Sequence, residues 1–327
     1  MFKAITIDRE REQYVVKLAE LDETALPAHD VSVDVEYSTL NYKDALAITG
    51  RAPIVKQFPM VAGIDLAGII LDSRDDRYRK GQKVLVNGWG LGEDHWGGLA
   101  QRARVKADWI TPLPEPLSTW DAMALGTAGF TAMLCVKALE TQGVTPDQGE
   151  ILVTGATGGV GSIAILLLAK RGFQVIASTG HRNEADYLQK LGAAEIIDRD
   201  DLGKPGPPLA KQRWAGAVDV AGSHTLANIC AGMRHNGAVA ACGLAQGMDF
   251  PGSVAPFILR GIRLIGINSV YASHGQRQDA WQSLARDWDA DVFGGITQTI
   301  NLADVIAKAS ELLDNKIRGR IVVDVSG

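Results

Sequence analysis

Cysteine is scarce in this chain. Its three copies, Cys135, Cys230 and Cys242, are widely spaced and odd in number, so they do not form the disulfide framework of a small secreted domain, and a reducing compartment is the simplest setting. Excess positive charge is missing as well. Lys and Arg number 33 against 38 Asp and Glu, leaving a net charge of -5, which argues against a broad nucleic-acid face, because phosphate binding needs clustered cations. No uncharged apolar run is expected to reach the ~18 residues that a membrane span requires; the run at 163–169 is taken as the best candidate and is far too short. The first residues lack the basic flank, apolar core and small-residue cleavage site of a signal peptide and lead straight into a strand-like run. These absences predict a cytoplasmic protein with neither a nucleic-acid nor a membrane partner. A Gly-x-Ser-x-Gly elbow is also missing, which disfavours a serine hydrolase.

What is present divides in two. A length of 327 residues with a 46% hydrophobic fraction exceeds what a single core usually supports, since cores stop growing near about 250–300 residues. The first third alternates apolar and polar side chains in short bursts, at 3–7, 31–37, 67–71, 83–87 and 99–105, without helices between them. This pattern predicts a β-rich module. Prolines at Pro112, Pro114 and Pro116 interrupt the pattern. Beyond them, short apolar runs at 151–154, 174–178, 195–197, 217–220, 238–241 and 262–266 are spaced by helix-length segments. That rhythm predicts an α/β domain with a doubly wound parallel sheet. A helix at 302–315 and a strand at 320–325 end the chain and are expected to rejoin the first module. The expected domains are therefore residues 1–124 with 295–327, and residues 125–294.

The segment Ile151-Leu152-Val153-Thr154-Gly155-Ala156-Thr157-Gly158-Gly159-Val160-Gly161-Ser162 is an apolar strand, a glycine-rich turn and the start of an apolar helix, in that order. Glycine permits the tight turn and lets backbone N–H groups approach a pyrophosphate at the positive end of the helix. Thr157, Gly158, Gly159 and Val160 are therefore dinucleotide-binding candidates. An NAD enzyme carries Asp or Glu at the end of the next strand to hold the ribose 2′-hydroxyl. Ser178-Thr179-Gly180-His181-Arg182 stands there instead, offering two hydroxyls and a guanidinium to a 2′-phosphate. NADPH is the expected cofactor, with Ser178, Thr179, Gly180 and Arg182 as its selectors and Arg199 as either a further contact or a surface charge.

Around Gly63-Ile64-Asp65 the chain resembles the stretch that reads Gly-His-Glu in zinc alcohol dehydrogenases. The imidazole ligand is replaced by Ile64, and no cysteine precedes residue 135, so no metal is expected. Further motifs stand in the same order as in that superfamily: Ser38-Thr39-Leu40-Asn41-Tyr42-Lys43-Asp44, Gly88-Trp89-Gly90, His95-Trp96-Gly97-Gly98-Leu99-Ala100 and Gly126-Thr127-Ala128-Gly129-Phe130-Thr131-Ala132. Over nearly its whole length the chain resembles the zinc-free quinone oxidoreductase branch of the medium-chain dehydrogenase/reductase superfamily, and within it the bacterial acrylyl-CoA reductase group.

The resemblance implies a Rossmann domain plus a β-rich GroES-like catalytic domain, and NADPH-dependent reduction of acryloyl-CoA to propanoyl-CoA. Asn41 and Tyr42 would donate hydrogen bonds to the developing oxyanion, with Tyr42 also touching the nicotinamide. Asp44 would orient its neighbours or belong to a proton path. The alternative for this segment is a polar loop capping a helix that starts at Asp44. Leu244, Ile258, Asn268, Ser269 and Arg320 come over more weakly as cofactor-cleft residues. Cys242 reads as a small buried residue rather than a nucleophile. A quinone or general enone reductase, and a non-catalytic NADPH-binding sensor, are the competing readings. A homodimer is expected through pairing of the edge strand at 262–266.

Overall fold

The computed structural model describes residues 1–11 and 13–327. The chain forms two compact units, Met1–Thr127 with Val270–Gly327, and Ala128–Ser269.

In the first unit, Val31–Thr39 is the central strand of a largely antiparallel sheet. It is flanked by Arg320–Asp324 on one side and Asp65–Ser73 on the other, with Thr297–Asn301, Lys83–Asn87 and Thr111–Pro112 further out. Val31, Val33 and Val35 point into the core as the period of two demands. The register then slips between Val35 and Tyr37, and such a bulge re-aims the following side chains. Ser38 and Thr39 both end up buried, so the polar segment runs into the interior rather than along the surface. The last strand does rejoin this unit: Val322 pairs with Thr39 and Val323 with Ser38, which brings Arg320 alongside position 41.

The helix Tyr42–Thr49 begins two residues earlier than Asp44. Asn41 is extended, Asp44 is the third helical residue and accepts the Asn41 N–H at 2.8 Å, and Gly50 ends the helix in the left-handed region at φ 67. Its Ala45, Ala47 and Ile48 share a core with Val305 and Ala309 of Val305–Leu313.

The second unit holds a six-stranded, all-parallel sheet in the order Ala193–Asp198, Val175–Thr179, Glu150–Val153, Trp214–Asp219, Met233–Ala241, Arg263–Gly266. Counted along the chain this is 3-2-1-4-5-6, the doubly wound order, whose ligand crevice lies outside the carboxyl ends of the strands where the order reverses. The glycine turn follows the first of these strands.

Two features depart from the sequence reading. The boundary expected at 294/295 falls instead at Ser269/Val270. The reason lies in the helix His274–Asp287, which buries Arg277 and Trp281 on one face; Arg277 Nη1 donates to the Asn87 carbonyl at 2.9 Å and Trp281 Nε1 to Asn87 Oδ1 at 3.1 Å. Among the described residues the longest apolar helix is Thr119–Thr141, not the run at 163–169, and it is long and apolar enough to meet the length and composition of a membrane span. It is mostly buried within the protein and is broken at Gly126, where φ is 51 and ψ is -157. Such burial is the property of a core helix.

Candidate active site

The polar segment that follows the central strand meets a buried carboxylate. Asp65 opens the neighbouring strand, directly opposite Asn87, and its successor Leu66 pairs with Ser38. Register alone therefore places position 39, Asp65 and Asn87 side by side across three strands. Asp65 is completely buried. Its Oδ2 accepts Asn41 Nδ2 at 2.8 Å and the Thr127 N–H at 2.9 Å. Its Oδ1 accepts Asn87 Nδ2 at 2.8 Å and the Thr127 hydroxyl. A buried carboxylate is tolerated only with such a shell of donors.

Arg320 lies on the other side of Asn41 and is 3% exposed. Its guanidinium donates to Asn41 Oδ1 at 3.1 Å, Thr39 Oγ1 at 2.7 Å and the Ala124 carbonyl at 3.0 Å. Burial lowers its pKa, and the charges of Asp65 and Asp44 oppose that shift. Arg320 thus stands in the framework of the first unit, with most of its donors on protein oxygens. The kink at Gly126 makes room for this cluster: a Cβ there would stand 2.5 Å from Arg320 Nη2 and 3.0 Å from Asp65 Oδ2.

Asp44 is likewise enclosed. Its two oxygens accept the backbone N–H groups of Asn41 at 2.8 Å and Ile64 at 2.9 Å. Burial, and then the charge of Asp65, raise its carboxyl pKa to about 7 against the pull of those hydrogen bonds. Tyr42 differs from all of these. It is the first residue of its helix and is 49% exposed, so its hydroxyl-bearing ring is the group of this segment that a ligand can reach.

In the second unit the glycine turn is built as its sequence requires. Gly155 has φ +56, and a Cβ on Gly161 would lie 2.3 Å from the Gly155 carbonyl oxygen, so helix and strand approach at a distance only glycine allows. The helix Gly159–Lys170 starts at Gly158 with no side-chain cap. Its first N–H groups, at Gly159 and Val160, are among those that a helix leaves unbonded for an anion, with Thr157 just before them and the Gly158 N–H donating to the Gly155 carbonyl at 3.0 Å. The Ala156 N–H donates to the Ser178 carbonyl at 3.2 Å, tying the turn to the end of the next strand.

That strand end is richer than its own sequence suggests. Ser178 Oγ is buried without a hydrogen-bond partner, a hydroxyl with capacity left for a ligand. Thr179 Oγ1 accepts the His181 N–H at 3.0 Å. Thr179 pairs in register with Asp198 of the adjacent strand, so an acid does stand beside the expected ribose position. It is supplied by another strand, and Arg182 Nε holds it at 2.9 Å. That pair, after the Asp200 N–H, keeps the Asp198 carboxyl below its usual range. The Arg199 guanidinium packs over Gly180, where a Cβ would come within 2.6 Å of its Nε. Both arginines have exposed side chains. These residues fit a dinucleotide with a phosphate on its ribose: a glycine cradle, an open helix start, an orphan hydroxyl and two accessible cations.

Leu244 and Asn268 line one cavity of about 440 Å³ together with Gly222, Leu226, Cys242 and Phe250. Ser269 follows immediately and ends the unit. Ile258 stands apart, 74% exposed on the short helix Ala255–Arg260. Cys242 Sγ lies 3.5 Å from the Asp219 carbonyl oxygen and meets the Cys135 thiol.

A GroES-like β unit carrying an inserted doubly wound sheet with this glycine turn defines the class: the chain belongs to the medium-chain dehydrogenase/reductase superfamily. Residues 27–115 match the alcohol dehydrogenase GroES-like domain and residues 159–288 the zinc-binding dehydrogenase domain. At finer grain, the chain is 48% identical over 99% of its length to the whole of the probable acrylyl-CoA reductase AcuI of Escherichia coli (strain K12). It is 46% identical, over all of both chains, to the acrylyl-CoA reductase AcuI of Ruegeria pomeroyi. Among solved structures, the yhdH oxidoreductase of Salmonella enterica in complex with NADP superposes with a TM-score of 0.97 at 48% identity, covering 99% of each chain. The Bacillus subtilis protein yhfP with NAD bound gives 0.95 at 41%, again over 99% of each.

Zinc does not fit these residues, although the second domain family is named for it. Among the described residues no group of three or more His, Cys, Asp or Glu stands together as a ligand set, and Ile64 occupies the place of the imidazole.

Proposed function

We propose that this chain reduces the carbon–carbon double bond of acryloyl-CoA to give propanoyl-CoA, using NADPH. The observation that carries the reading is full-length likeness, at 46–48% identity, to two proteins named as acrylyl-CoA reductases.

NADPH, when bound, would supply the hydride for the β-carbon, and a proton taken up at the α-carbon completes propanoyl-CoA. The protein's part is to hold the thioester and answer the charge that develops on its oxygen. Tyr42 is the donor for that oxygen, because it is exposed while Asn41 and Asp44 are enclosed. Its place at the positive end of an eight-residue helix adds a favourable field for negative charge. Arg182 and Arg199 hold the 2′-phosphate, Ser178 adds its unused hydroxyl, and the turn from Gly155 to Gly161 takes the pyrophosphate.

The test is a set of initial-rate measurements of NADPH oxidation with acryloyl-CoA, crotonoyl-CoA, a small quinone and a simple enone. The reading requires the highest kcat/KM for acryloyl-CoA. A quinone that outpaces the thioester by orders of magnitude would favour the quinone reductase, a name carried by the 41% identical Bacillus relative. Tight NADPH binding with no turnover of any acceptor would favour a sensor.

The same reading includes a homodimer in the cytoplasm. Arg263–Gly266 is the edge strand of the parallel sheet, and Val254, Ile258, Leu259 and Leu264 of the same unit are exposed apolar side chains. Pairing with a second copy would cover both the open backbone groups and these side chains. A monomeric sedimentation mass at micromolar concentration rejects the dimer.

A further inference from the structure

Asn41 has almost nothing left to offer a substrate. Its Oδ1 accepts from Arg320, its Nδ2 donates to Asp65, its N–H donates to Asp44 and its carbonyl accepts the Ala45 N–H at 3.0 Å. The residue is 8% exposed. The amide cannot turn over either, because that would set nitrogen against guanidinium and oxygen against carboxylate. Each neighbour is itself fixed: Arg320 by Thr39 and Ala124, Asp65 by Asn87 and Thr127. A buried cation and a buried anion are thus joined through one neutral amide whose dipole runs from one to the other.

We infer that Asn41 is a positioning residue, and that the Arg320–Asn41–Asp65 bridge holds the first turn of the helix Tyr42–Thr49 so that Tyr42 presents its hydroxyl to the substrate. Asp65 and Arg320 are the parts of this device that act through Asn41. The inference rests on the proposed enone reduction for its substrate, but not for its geometry. It differs from a role for Asn41 as donor to the thioester oxygen in one respect: the bridge needs an acceptor facing Arg320 and a complementary pair between positions 41 and 65, whereas direct donation needs an amide at 41.

Exchanging the two side chains separates these roles. In N41D two carboxylates face each other, and in D65N donors face donors, so each variant breaks the bridge. In N41D/D65N the new amide at position 65 donates to the new carboxylate at position 41, which still accepts from Arg320. Its oxygen still serves Asn87 and the Thr127 hydroxyl, while the Thr127 N–H loses its acceptor in D65N and in the exchange alike, so recovery is read against D65N as well as N41D. We expect kcat to fall about 100-fold in each single variant and to recover to within about tenfold of wild type in the exchange, the non-additivity of a directly coupled pair. NADPH affinity, read by fluorescence, should fall by far less than kcat in each of them. An exchange variant that regains its melting temperature but is no more active than N41D overturns the inference, since a carboxylate cannot donate.

Should the variants not fold, the wild-type protein gives the answer by itself. With asparagine ¹⁵N-labelled and NADP⁺ and propanoyl-CoA at saturation, the Asn41 amide protons should keep their positions. A downfield move of one of them would mean donation to the ligand and would overturn the inference. If acryloyl-CoA is not turned over but another enone is, the substrate assignment fails, and the same variants assayed on that enone still decide the role of Asn41.

Discussion

Asn41 Nδ2 lies 2.8 Å from Asp65 Oδ2 although the residues are 24 positions apart in the chain. The contact follows from strand register: Ser38 pairs with Leu66, so the chain leaving one strand passes the residue opening the next. Everything expected of the site depends on what this contact leaves free, which is Tyr42.

Replacing Tyr42 with phenylalanine should therefore remove the donor and little else. With the ring half exposed and no buried partner to lose, stability should change by less than about 0.5 kcal/mol. Removal of an oxyanion donor costs about 10²–10³ in kcat. Steady-state rates with acryloyl-CoA and a melting curve measure both, and an unchanged kcat would move the donor elsewhere.

Arg182→Ala should alter cofactor choice in two ways at once. It removes a cation from the 2′-phosphate and releases Asp198, whose carboxylate Arg182 now holds. The freed acid can accept from a ribose 2′-hydroxyl and repels a phosphate. KM for NADPH should rise by about tenfold or more while KM for NADH stays or falls. Equal weakening of both cofactors contradicts this.

The close approach at Gly161 leaves no space for a methyl group. Gly161→Ala would place Cβ 2.3 Å from the Gly155 carbonyl oxygen, so strand or helix must move. A loss of about 3 kcal/mol in stability, together with NADPH binding too weak to saturate, is expected. Denaturant unfolding and cofactor titration report the two effects separately.

Asp44 makes the protein less stable as pH rises. Its folded carboxyl titrates at about 7, whereas an unfolded Asp titrates near about 3.9. Between those values the folded chain keeps a proton that the unfolded chain has given up. Unfolding free energy should therefore drop with rising pH across that window, by as much as about 4 kcal/mol. In Asp44→Asn this contribution is absent. Urea titrations of both proteins from pH 4 to 8 give the difference, and parallel pH profiles would mean that Asp44 does not retain its proton.

The second unit was legible from sequence because each of its signals is local. Apolar runs mark buried parallel strands, and the glycine turn follows the first of them. In the first unit alternation marks Val31–Thr39 and Lys83–Asn87 but not Gln13–Leu21, none of whose side chains is buried. Thr119–Thr141 was missed because it is apolar on nearly every side and so shows no period of 3.6. The site was half legible. Asn41, Tyr42 and Asp44 stand out as polar residues in one segment, whereas Asp65, Asn87, Thr127 and Arg320 come from four separate elements. Asp198 was hidden for the same reason: it belongs to a strand other than the one being read, and only the parallel register brings it beside Thr179.

Residues Ala128–Ser269 interrupt the chain of the first unit, which is left at Thr127 and resumed at Val270. Both points are tied to the polar framework: Asp65 holds the N–H and hydroxyl of Thr127, and the Val270 carbonyl accepts from Arg277 Nη2 at 2.8 Å and the Trp89 N–H at 3.3 Å. The enclosed unit is thus a cassette between two fixed sockets. A transplant of the nucleotide-binding unit from another dehydrogenase, spliced after Thr127 and before Val270, would leave the scaffold around Asp65 intact, whereas splices placed a few residues inside those sockets would cut into it.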